Sequence, residues 1–116
     1  GGGGVLAALQ AMPRQPPITK AVMYYPVCRG AVPWAAAIPA LLLLGAKDDV
    51  AYPALCKPVI DGISDGRLHV VTYPDARHGF DIPAFNGPAD QPGAPVYDAA
   101  AAKASWRAVL DFLRSQ

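Results

Sequence analysis

Two groups capable of acid–base chemistry follow consecutive strand-like runs near the middle of a 116-residue chain. The first run is Leu41-Leu42-Leu43-Leu44-Gly45-Ala46-Lys47-Asp48-Asp49. The second is His69-Val70-Val71-Thr72-Tyr73-Pro74-Asp75-Ala76-Arg77-His78-Gly79-Phe80. A carboxylate after one buried strand and a histidine after the next is the acid-then-base order of a triad that activates a hydroxyl or thiol. Catalytic groups in open parallel sheets collect outside the carboxyl ends of the strands, which is where Asp48 falls. A carboxylate there would hold the Nδ1–H of a histidine, fix its tautomer and stabilise the imidazolium that forms. His78 lies on a loop beside Gly79, where a histidine has the exposure and freedom that a general base needs.

The neighbouring groups read differently. Asp49 suits a turn or helix cap. His69 lies within strand sequence beside Val70 and has a core or edge role. The nucleophile is the gap, because Ser64 ends a helix and Ser105 and Ser115 lie on the last one. None has the Gly-x-Ser-x-Gly framing of a strained strand-to-helix elbow. The chain opens on Gly1-Gly2-Gly3-Gly4, the kind of sequence that would follow such an elbow. The nucleophile is therefore expected just upstream of residue 1.

The elements that must position these groups are legible from periodicity and punctuation. Val5–Ala11 has helical composition and is ended by Pro13, Pro16 and Pro17. Ile18–Tyr25 reads as a strand closed by Pro26, and Val27–Pro39 as irregular chain. Ala40–Gly45 is a continuous apolar run, the pattern of a strand covered on both faces. Pro53–Ser64 suits a helix with Pro58 as a blemish, and Leu68–Tyr73 is a third strand. After a Gly- and Pro-rich loop over Gly79–Gly93, Tyr97–Ser115 is the strongest helix, with Trp106, Val109, Leu110 and Leu113 as its apolar stripe. This order predicts an α/β class: about three parallel strands joined by crossovers, with flanking helices. The outer edge of Ile18–Tyr25 would expose unpaired backbone groups and calls for a cover.

Composition narrows the function classes. The chain is 53% hydrophobic and 16% charged, which excludes disorder and allows one domain with a real core. Net charge is +1, the cations are scattered and no basic face is visible, so a nucleic-acid partner is not expected. No apolar run reaches the ~18 residues of a membrane span, and no signal-peptide pattern opens the sequence. Cys28 and Cys56 lack the spacing and histidine partners of a metal site. They read either as two buried thiols or as a disulfide between neighbouring strand ends, and a bridge would imply an oxidising rather than a cytoplasmic compartment.

Several segments together resemble the C-terminal half of the dienelactone hydrolase family. They are Ile38-Pro39-Ala40 through Asp49, Pro53-Ala54 with Cys56, and Tyr73-Pro74-Asp75-Ala76-Arg77-His78-Gly79-Phe80-Asp81. Tyr24-Tyr25-Pro26-Val27-Cys28 and the Tyr97–Leu113 helix are similar as well. The resemblance implies a partial α/β-hydrolase fold lacking its N-terminal strands and nucleophile elbow. It also implies hydrolysis of carboxylic esters or lactones without a cofactor, with Asp48 as triad acid and His78 as triad base. The Ser or Cys nucleophile would precede residue 1, so the isolated chain is expected to be inactive. An alternative is a non-catalytic binding or assembly module that pairs through the Ile18–Tyr25 edge, with the upstream segment or with a second copy. A dinucleotide fingerprint is not met by the opening glycines, since no strand precedes them.

Overall fold

The structure, a computed structural model, describes residues 2–14, 17–88 and 91–115. Its elements are helix α1 (Gly2–Ala11), strand β1 (Ala21–Tyr24), strand β2 (Ala40–Gly45), a 3-10 turn (Pro53–Cys56), helix α2 (Lys57–Gly62), strand β3 (Leu68–Tyr73) and helix α3 (Ala99–Arg114). The strands form one parallel sheet in the order β1-β2-β3. The register pairs Ala21 with Ala40 and Tyr24 with Leu43 on one side, and Ala40 with Leu68 and Gly45 with Tyr73 on the other.

Strand β2 is buried along its whole length because both sheet faces are covered. Side chains alternate across a strand, so Ala40, Leu42 and Leu44 enter one core while Leu41 and Leu43 enter the other. The first core gathers α1 and α2 through Leu6, Leu9 and Val59, together with Trp34 and Ile38 from the irregular crossover. The second gathers Phe80 and α3 through Ala101, Val109 and Phe112. Each fully buried leucine of β2 contributes roughly 2 kcal/mol of transfer free energy, which makes this strand the anchor of the fold.

The expected strands over Ala40–Gly45 and Leu68–Tyr73 are found with those bounds, and the Ile18–Tyr25 run contributes a shorter strand at Ala21–Tyr24. Helix α1 begins three residues earlier than its composition suggests and takes in Gly2–Gly4. A β-carbon on Gly2 would collide with the Tyr24 carbonyl, so a bare glycine lets the helix start press against the end of β1. Gly1 and the breaker Pro16 lie outside the described residues. The proline-bearing Pro53–Ser64 segment divides into a 3-10 turn and a short helix. Pro58 sits in the first turn of α2, where its missing N–H costs no helical bond.

The stripe expected on the last helix is corrected. Of Trp106, Val109, Leu110 and Leu113, only Val109 is buried, while Trp106 is 60% and Leu113 52% exposed. The buried face is instead Ala101, Ser105, Val109 and Phe112. Small residues at 101 and 105 and the larger Val109 and Phe112 form the face that packs on the second core. Ser105 is accommodated because its hydroxyl donates to the Ala102 carbonyl and accepts from the Tyr24 phenol.

Candidate active site

Two loops leave the carboxyl ends of β2 and β3 and are laced together by backbone bonds. The Ala46 N–H donates to the Tyr73 carbonyl, and the Lys47 N–H donates to the Ala76 carbonyl, each at 3.0 Å. Ala76 is fully buried, and Gly45 packs against its carbonyl. The β2 loop then tightens as the Asp48 N–H returns to the Gly45 carbonyl at 3.1 Å. The β3 loop is pinned further on by Phe80, which is fully buried among Tyr24, Tyr25 and Tyr73. Between them Gly79 adopts φ +74°, a conformation that a side chain would strain. Its place in His78-Gly79-Phe80 is thus backbone chemistry: it lets the chain bury Phe80 while keeping His78 at the rim.

The structure brings Asp48 and His78 together. His78 Nδ1 lies 2.9 Å from Asp48 Oδ2, with the imidazole side chain 25% exposed and the carboxylate side chain 1%. With Asp48 ionised, Nδ1–H donates and Nε2 keeps a lone pair. The second carboxylate oxygen, Oδ1, accepts from the N–H groups of Val50 at 2.9 Å and Ala51 at 2.8 Å. A carboxylate so deeply buried requires such donors. Turn-capping and histidine-holding are thus divided between the two oxygens of Asp48.

Asp49 does not join this pair. Its Oδ2 accepts from the Gly93 N–H at 2.7 Å and from Arg77 at 3.2 Å, tying the loop around residue 93 to the β3 loop. That backbone bond, then the Arg77 charge, holds its carboxyl below the usual carboxylate range. His69 is exposed on the outer strand β3, with its ring against Phe112, and takes the edge role. Among the described residues no serine hydroxyl bonds to His78. Ser105 is buried under α3, Ser64 is exposed, and Ser115 bonds to the Phe112 carbonyl and Lys20. Of the two readings left open for the cysteines, the structure shows the bridge: Cys28 and Cys56 form a disulfide between the chain after β1 and the 3-10 turn after β2. Among the described residues no three His, Cys, Asp or Glu side chains gather into a metal set, and no described helix is long and apolar enough to cross a membrane.

Sequence reasoning missed the partners of the imidazole on its other side. The Tyr25 ring meets the His78 ring edge-on at 4.4 Å, and its phenol donates to Asp81 Oδ1 at 2.5 Å. Burial, with Asp81 as acceptor, pushes that phenol well above its ordinary range. Tyr25 also has φ +35°, which costs a non-glycine residue about 1 kcal/mol or more. The following Pro26 adds a preference for extended backbone that this residue does not obey. A Tyr-Pro pair at the end of a strand gives no hint of such a conformation.

A three-stranded parallel sheet covered by helices on both faces, with a carboxylate and a histidine meeting beyond adjacent strand ends, matches part of an α/β-hydrolase architecture. The profile of the dienelactone hydrolase family matches residues 2–116. The chain belongs to that family. Comparison with curated proteins and with solved structures gives no match.

Proposed function

We propose that this chain carries the acid and base of an enzyme that hydrolyses carboxylic esters or lactones. The observation that supports this reading best is the 2.9 Å contact between His78 Nδ1 and the buried carboxylate of Asp48. In this reading Nε2 takes the proton of a serine hydroxyl or cysteine thiol as that atom attacks the ester carbonyl. The imidazolium, held by Asp48, then returns the proton to the departing alkoxide. Water enters, gives its proton to Nε2, and releases the acid product by the same route. The nucleophile is supplied by a segment outside these 116 residues, since both thiols are bridged and no described serine bonds to His78.

A nitrophenyl ester tests the reading in two arms. The 116-residue chain alone produces no nitrophenol above background. A longer protein with Gly-x-Ser-x or Gly-x-Cys-x before residue 1 does, and Asp48→Asn lowers its kcat by about 10⁴, the effect of a misdirected tautomer. Turnover by the short chain that His78→Ala abolishes would overturn the external nucleophile. An unimpaired Asp48→Asn enzyme would overturn the triad.

One observation favours a second reading, an assembly module. The outer edge of β1 pairs with no strand among the described residues, and an open edge is a template for another strand. Pairing through Ile18–Tyr25, with an upstream segment or with a second copy, would close it. A dimer in solution that Met23→Pro dissociates favours the second copy, and a monomer argues against it.

A further inference from the structure

We propose that Tyr25 is a positioning residue for His78, acting through a tether to Asp81; this rests on the reading of His78 as the base. Three strand ends meet at the rim of the sheet, and together they contribute four groups. Tyr25 follows β1, Asp48 lies on the loop after β2, and His78 and Asp81 lie three residues apart on the loop after β3. The imidazole is therefore gripped from two directions, by the Asp48 carboxylate at Nδ1 and by the edge-on Tyr25 ring.

The ring could serve only as a wall if it were itself fixed, and the phenol supplies that. Its hydroxyl donates to Asp81, on the segment that carries His78. The tether joins the β1 end to the histidine loop, on either side of the strand that leads to Asp48. The hydroxyl is engaged by Asp81 and so is not offered to a substrate oxygen.

A second observation points the same way. Tyr25 is the one described non-glycine residue with positive φ, and Pro26 makes that conformation still less favourable. Strained backbone persists where the surroundings over-determine it, and it clusters at functional sites. The turn that strains Tyr25 is the one that lays its ring beside the imidazole. The groups packed around it are Tyr24, Phe80, His78 and Asp81.

Nitrogen-15 NMR of the histidine side chains in the 116-residue chain tests the proposal. Tyr25→Phe keeps the ring and removes the tether. Its expected effect is about tenfold faster solvent exchange of the His78 Nδ1 proton, the loss of one net hydrogen bond, with mixed tautomers and no change at His69. Asp81→Asn, which leaves an oxygen to accept the phenol proton, restores most of the native behaviour. Tyr25→Phe spectra in which His78 exchange and tautomer match the native chain overturn the proposal. Should Tyr25→Phe not fold, Asp81→Ala is read with the same two outcomes. Asp48→Asn separates the premises. If it leaves His78 unchanged, the acid–base reading fails; if it shifts His78 while Tyr25→Phe does not, only the tether fails.

Discussion

The α-carbon of Gly45 faces the carbonyl oxygen of Ala76 so closely that a β-carbon built there would stand 2.5 Å from it. This contact sets the spacing between the two loops that carry Asp48 and His78. Gly45→Ala must push backbone against backbone, with no flexible side chain to yield. We expect a loss of about 2 kcal/mol or more from overpacking, read as a lower urea midpoint, with loss of the shared His78–Asp48 proton signal. A Gly45→Ala chain with native stability and a native His78 spectrum would show that the loops are not in contact.

The disulfide closes a loop whose ends are 28 residues apart in sequence. Chain-entropy reasoning for such a loop gives roughly 3.5 kcal/mol of stabilisation. Cys28→Ser with Cys56→Ser should lower stability by about that amount, and dithiothreitol should do the same to the native chain. Both sulfurs are buried, so reduction should be slow until the chain opens. Free thiols found by alkylation of the unfolded, unreduced protein would contradict the bridge.

Asp49 predicts an acid-side effect. Its folded pKa lies below its unfolded value, so its contribution is present above the ordinary carboxylate pKa and is lost as pH falls through the lower folded value. Stability of the native chain should therefore fall more steeply below about pH 4 than that of Asp49→Asn. Urea midpoints measured at neutral and acidic pH check this. Parallel curves would mean that the Gly93 and Arg77 contacts do not hold in solution.

The two tryptophans report the register of α3. Trp34 is 2% exposed and Trp106 60% exposed. Trp106→Phe should change stability by no more than about 0.5 kcal/mol, as surface substitutions do. It should also remove nearly all the fluorescence that acrylamide quenches. A Trp106→Phe chain as readily quenched as the native one would restore the apolar stripe read from sequence.

Much of this molecule was legible before any coordinates. An unbroken run such as Ala40–Leu44 has one economical solution, a strand between two layers, and its burial follows. The meeting of Asp48 with His78 was legible because each follows one of two adjacent parallel strands, whose loops share one rim of the sheet. The face of α3 was not, because Trp106 and Leu113 match Val109 in hydrophobicity. The buried face carries the small Ala101 and Ser105 beside Val109 and Phe112, and which face packs is a property of the pair of surfaces. Tyr25 was invisible for another reason. Its conformation opposes local preference, and it holds only through contacts with Asp81, 56 residues away, and His78. The disulfide could be posed but not decided, since two buried thiols and a bridge leave the same trace in sequence.

Because two backbone N–H groups hold one oxygen of Asp48 wherever the proton sits, the anion need not swing as the imidazole gains or loses charge. In the reaction proposed above, a partner that stays still would keep the reorganisation energy of each proton transfer small. A glutamate at position 48, longer by one methylene, would not place its carboxylate on those amides and the imidazole in the same way.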